Sequence, residues 1–98
     1  MKLEWSLFAL ADRTGIFDYI ESENPRAAVD VDDRIRLQAQ QLSQFPESGR
    51  RGRIEGTREL VIQHTPYIAA YRILDGTVRV LRLLHGAQQW PDAMNDLL

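Results

Sequence analysis

The sequence predicts an α+β domain in which a hairpin of two helices packs on one face of a mostly antiparallel sheet. Three observations carry this expectation. The first half repeats apolar residues at helical 3–4 spacing, whereas the second half holds three short runs rich in β-branched, aromatic and leucine residues, at 59–62, 67–74 and 78–85. Turn chemistry separates those runs: Thr65-Pro66 between the first two, Asp75-Gly76 between the last two. A two-residue Asp-Gly between apolar runs is a strong hairpin signal, because both turn residues must accept positive φ.

Taken in order, Leu3-Glu4-Trp5 is short and alternating, as an edge strand would be. Ser6 stands where its hydroxyl can accept from a free N–H of a first helical turn. Leu10, Phe17 and Ile20, with Arg13 between them, predict an amphipathic helix from residue 7 to about 22, interrupted in propensity by Gly15. Asn24-Pro25 stops that helix and starts a second, with Asn as cap and Pro at the first helical position. The second is expected to run to Phe45, burying Ala28, Val31, Ile35, Leu42 and Phe45 and turning Asp30, Asp32, Asp33, Arg34 and Arg36 to water. Phe45-Pro46 ends it, since the residue before proline disfavours the helical region. The hairpin's apolar face needs a cover, and the meander is the candidate. Residues 46–58, with three glycines and four arginines, read as a solvated loop or a weak phosphate-holding one without the Walker ending.

The 98 residues suit one domain, and 44% hydrophobic content is ample for its core. The absence of cysteine excludes a disulfide frame and thiolate metal sites. Neither a secretory leader nor a membrane-length apolar run is evident, so the expected location is the cytoplasm. The net charge of −2 hides a polarised chain. Residues 1–49 carry five basic and nine acidic side chains, residues 50–85 seven arginines against three acids, and the remainder only Asp92 and Asp96. The middle segment is therefore +4, and all its cations are arginines, whose planar forks suit carboxylates and phosphates alike. That pattern fits an acidic protein partner, a nucleic acid or a merely solvated face.

Chemistry is sparse. His64 and His85 are the only histidines, too few for a metal site without cysteines or carboxylates at ligand spacing. Strand alternation implies that Arg79 and Arg82 cannot both face the helices, and places His85 with Arg79 and Arg82 with Val78 and Val80. His85 reads first as a strand-end side chain bonding a backbone carbonyl. Tyr67, Tyr71 and Trp90 read as core before base-stacking platforms. No Ser/His/Asp or paired-carboxylate arrangement is present.

Three stretches carry a likeness: Gly-Arg-Ile-Glu-Gly-Thr-Arg-Glu-Leu-Val-Ile (52–62), Pro-Tyr-Ile-Ala-Ala-Tyr-Arg-Ile (66–73) and Val-Leu-Arg-Leu-Leu-His-Gly-Ala-Gln-Gln-Trp-Pro (80–91). With Trp5-Ser6 and Asp-Tyr-Ile-Glu-Ser-Glu-Asn-Pro (18–25), they resemble the RelE/ParE toxins of bacterial type II toxin–antitoxin modules over about residues 3–92. The resemblance implies a β-α-α-β-β-β fold and a growth-arresting toxin, wrapped and silenced by a cognate antitoxin protein, with no cofactor. It also implies a target. The ParE branch inhibits DNA gyrase; the RelE branch cleaves mRNA on the ribosome without a metal. The RelE lysine pair falls here on Glu59 and Val61, and its third-strand arginine near Ile68, so most of that catalytic set is missing. The Tyr-Arg-Ile and Leu-Arg-Leu-Leu-His signatures look closer to ParE. His85 would be catalytic only in a nuclease. On either branch, Arg50, Arg51, Arg53, Arg58, Arg79, Arg82 and Trp90 are expected to meet the target or partner. A third expectation, from a different class, is a toxin-like subunit that only binds antitoxin.

Overall fold

The computed structural model describes residues 1–90; Pro91, Asp92 and Asp96 lie outside the described residues. The order is β1 (Lys2–Trp5), α1 (Leu7–Glu21), α2 (Pro25–Gln40), a 3-10 turn (Gln41–Ser43), β2 (Arg50–Arg51), β3 (Arg58–Val61), β4 (Tyr67–Leu74) and β5 (Thr77–His85). The sheet runs β1-β5-β4-β3-β2, with β1 parallel to β5 and every other pair antiparallel. The two-helix hairpin therefore lies within the crossover from β1 to the rest of the sheet and covers one face. The expected architecture stands, with β2 as an addition inside what the composition suggested was a loop. No helix among the described residues is long and apolar enough to cross a membrane.

Local chemistry sets the boundaries as expected. Ser6 caps α1 by accepting from Ala9 N–H at 3.0 Å, and its hydroxyl donates to Leu81 O at 2.8 Å, tying the helix start to β5. Asn24 accepts from Ala27 N–H at 3.1 Å. Asp75 and Gly76 have φ of 51° and 73°, the mirror-image turn that matches strand twist.

Three details of the helices differ from the spacing argument. The Ser6 anchor and the contact of Asp12 with β5 fix the phase of α1 so that Ala9 and Ile16 face the sheet, and Leu10 is left 43% exposed. Asp32 does not simply face water but receives two bonds from Arg13, at 2.7 and 3.0 Å. The second helix stops at Gln40; the tighter 3-10 turn then inserts Leu42 into the core and leaves Phe45 62% exposed.

The sheet is covered on both sides. Against the helices, Ala9 and Ile35 meet Ile62, Ala69, Val80 and Leu83. On the other face, Ile68, Ala70, Leu81 and Leu84 pack under Trp90 and Ile54. Five consecutive residues of β4, Tyr67 to Tyr71, are buried for this reason. A β-bulge between the Ala70 and Tyr71 registers inserts one residue into β5, since Ala70 pairs Arg82 while Tyr71 pairs Val80. Alternation therefore breaks, and Leu83, not Arg82, continues the inward face of Val80.

Candidate interaction site

The helix-free face carries a basic assembly built around one carboxylate. Glu59 is 3% exposed and sits opposite Arg50 in the β2–β3 ladder. It accepts from Arg50 Nη2 at 2.9 Å, Arg53 Nε at 3.1 Å and the backbone N–H of Arg53 at 2.8 Å. Burial pushes its pKa up, but the bonds from Arg53 and Arg50 outweigh burial and hold it below the ordinary 4.5. The guanidinium of Arg53 lies over the Trp90 ring, 3.6 Å from its centroid. Trp90 is in turn 9% exposed. Glu59, Arg53 and Trp90 thus fasten the 50–57 segment over the second apolar cluster.

Further along this face, Arg72 pairs with Arg79 and Arg79 with Glu4 in adjacent registers. Like charges facing each other across strands repel, and Glu4, ion-paired to Arg79, offsets that. Between β4 and the 52–57 loop lies a cleft of about 610 Å³, lined by Arg51, Arg53, Arg58 and Arg72 with Glu55 and Ile73. Gly52 is required there, because a Cβ would collide with the Thr57 side chain and backbone. Arg58 donates to Gly49 O at 2.8 Å and Glu47 O at 3.3 Å, whereas Arg51 is exposed and forms no ion pair among the described residues.

Two expected site residues lie elsewhere. Arg82, displaced by the bulge, donates to Asp12 of α1 at 2.7 and 3.0 Å, and Asp12 also accepts from Leu83 N–H at 2.9 Å. Those bonds raise the Arg82 pKa against the effect of burial. Asp12 thereby satisfies the edge of β5 beyond the point where β1 ends. We expect Asp12→Ala to lower stability by about 1.5–3 kcal/mol, the range for hydrogen bonds to charged groups. A denaturant melt within 0.5 kcal/mol of the parent (roughly the scatter of neutral surface changes) would count against that role.

His85 departs from its expected face as well. It pairs in register with Tyr67, and the two rings meet edge-on with centroids 5.7 Å apart, beside Tyr19 of α1. Its Nδ1 accepts from Ala87 N–H at 3.0 Å, where a donated bond to a carbonyl was expected. Nδ1 is thereby occupied as an acceptor. Burial, with Tyr19 nearby, raises the Tyr67 pKa, the wrong direction for a base. The structure therefore brings together Arg50, Arg51, Arg53, Arg58 and Trp90, sets Arg79 beside them on the same sheet, and separates Arg82 and His85 from that group. No three His, Asp or Glu side chains among the described residues gather as metal ligands would. Sequence reasoning noted Glu59 only as standing where the RelE branch has a lysine, not as the acid that binds Arg50 and Arg53, and passed over Asp12. Glu59 was detectable as the lone acid at a strand position among the arginines; Asp12 left no local signal, since its partners are 70 residues away.

Comparisons with known proteins bear on this geometry. Residues 3–90 match the family model described as ParE toxin of type II toxin-antitoxin system, parDE. The candidate toxin Y4kP of Sinorhizobium fredii is 43% identical over 95% of this chain and 96% of its own. Toxin RelE2 of Caulobacter vibrioides is 39% identical over 86% of this chain and 93% of its own. A solved structure of a chromosomal ParDE TA system from P. aeruginosa superposes with a TM-score of 0.81 at 27% identity, covering 87% of this chain and 95% of that one.

Proposed function

Because this chain belongs to the ParE toxin family of type II toxin–antitoxin systems, we propose that it arrests growth by inhibiting DNA gyrase in the cytoplasm, without cleaving RNA. The observation that carries this reading is Glu59. At the strand position where an RNA-cleaving relative would present a lysine, this chain buries a carboxylate already bonded to two arginines. A basic face organised that way can hold an anionic or acidic surface but offers no free base to a 2′-hydroxyl. His85, with Nδ1 engaged and standing beside Tyr67, does not supply one either.

On this reading Arg51, Arg53, Arg58 and Arg79 form the surface that meets gyrase or the cognate antitoxin, while Arg50, Arg82 and the buried Trp90 mainly hold the fold. The name of the Caulobacter relative favours the ribosome-dependent alternative, and one experiment separates the two. Purified protein added to gyrase should suppress supercoiling or accumulate cleaved DNA, and should leave mRNA on translating ribosomes uncut by primer extension. Codon-specific mRNA cuts that vanish in His85→Ala would reverse the assignment. Inactivity in both assays, with antitoxin binding intact, would identify a non-toxic antitoxin-binding subunit.

A further inference from the structure

The arginine-lined cleft gathers more cations than acids. Its lining holds Arg51, Arg53, Arg58 and Arg72 against Glu55, four positive charges less one negative, or +3. Two neighbouring rungs of the β2–β3 ladder differ in sign: Arg50 stands opposite Glu59, whereas Arg51 stands opposite Arg58. Like charges directly opposite each other across a ladder destabilise it. Neither Arg51 nor Arg58 has an ion pair among the described residues to offset this. Arg58 is nonetheless held in place, because its Nη1 donates to Gly49 O and Glu47 O. Its Nε–Nη2 edge, the fork that grips an oxyanion with two bonds, has no acceptor among the described residues. The adjoining loop is fixed too. Gly52 N–H donates to Thr57 O at 2.8 Å, the Thr57 hydroxyl donates to Ile54 O at 2.6 Å, and Glu59 secures Arg53.

We propose that this cleft is an oligophosphate site: it takes a di- or triphosphate, free or carried on a nucleotide, whose oxygens meet Arg51 and Arg58. Its volume of about 610 Å³ falls among small-ligand sites, which span roughly 300–1,000 Å³ and are mostly apolar. A lining of guanidinium groups selects a polyanion instead. Phosphate suits it better than carboxylate, because a phosphate monoester brings about −1.5 to −2 charge near neutral pH on three acceptor oxygens. A nucleic acid is disfavoured: no aromatic side chain lines the cleft and Trp90 is buried beneath Arg53, so bases have nothing to stack on. The glycines of the arginine-rich loop serve the same shape. Gly52 lets the loop close on Thr57, and Gly56 turns it at a φ of 82°. Glu55, exposed and in no ion pair among the described residues, is the one group in the lining that opposes an anion. Such binding needs neither gyrase nor antitoxin, and a seated oligophosphate competes with any protein partner for Arg51 and Arg58.

The test is isothermal titration calorimetry of the purified chain with sodium tripolyphosphate at low ionic strength, where screening is weak. Saturable one-to-one binding is expected, about tenfold or more tighter than that of orthophosphate. Arg51→Gln and Arg58→Gln should each weaken it about tenfold or more, the scale of a lost bond to a charged group. Glu55→Gln should tighten it, and Arg36→Gln on α2 should leave it unchanged. Should Arg58→Gln melt early, Arg51→Gln, at an exposed position, decides the matter. ATP bound more tightly than tripolyphosphate would make the ligand a nucleotide, and ATP bound equally or less tightly would make it the free oligophosphate; either keeps the site. The site is overturned by an absence of saturable binding, by equal affinity for citrate, by tighter binding of oligothymidylate, or by an Arg51→Gln chain that binds tripolyphosphate as the parent does.

Discussion

Tyr71→Ala is expected to destabilise the fold more than any other single change considered, by about 3–5 kcal/mol for truncating a buried aromatic. Tyr71 has no exposed surface and packs between Leu42 and Val78. Its hydroxyl donates to Pro46 O at 2.7 Å and accepts from Gly49 N–H at 2.9 Å. Burial holds the phenol above its ordinary 10.0, so it stays neutral and keeps the proton it donates. One side chain thus joins the core to the segment that leads into β2. A domain of this size has roughly 5–15 kcal/mol to lose, so much of the folded margin goes with it. Tyr71→Phe separates the contributions: the ring remains, but the partners at Pro46 and Gly49 lose their bonds, an expected loss of about 1–3 kcal/mol. Urea melts of both variants check this, and a Phe variant as weak as the Ala variant would mean that packing is not the larger part. Gly49 belongs to the same joint, because a Cβ there would meet the Tyr71 hydroxyl at 2.6 Å.

Glu59→Gln should lower stability by about 1.5–3 kcal/mol at neutral pH, as bonds to charged arginines are replaced by weaker neutral ones. The pH dependence identifies the cause. Glu59 titrates below 4.5 in the folded chain and near 4.5 when unfolded, so its stabilisation is present above that value. It is lost as pH falls through the lower, folded value, because the unfolded chain binds the proton first. Melts of the parent from pH 6 down to about pH 3 should converge on those of Glu59→Gln, which lacks this titration. Curves that stay parallel across that window would show that the carboxylate is not what secures the loop. The same variant should loosen Arg53 from Trp90 and quench or shift the tryptophan emission.

Much of the fold was legible because its signals are local. Ser6, Asn24-Pro25 and Asp75-Gly76 act within a few residues of themselves, and each sits where the structure uses it. The candidate site was legible only as a composition: seven arginines between residues 50 and 85. Which of them faces a partner depends on acids remote in sequence or hidden by alternation, and no spacing rule reveals those.

Chain chemistry alone determined the two helices, the three-stranded meander, the β4–β5 turn and the family likeness, because caps, turns and apolar periodicity act over a few residues. Tertiary structure decided the rest. The Ser6 and Asp12 contacts with β5 rotated α1 so that Ala9 and Ile16, not Leu10, met the sheet. The bulge in β5 moved Arg82 out of the inward row and brought His85 beside Tyr67. Glu59 drew Arg50 and Arg53 into the structure and left Arg51 exposed in the lining of the cleft. Each of these is a contact or register choice between distant segments, settled by burying apolar surface while pairing buried carboxylates such as Glu59 with cations, a condition that exists only once the segments meet.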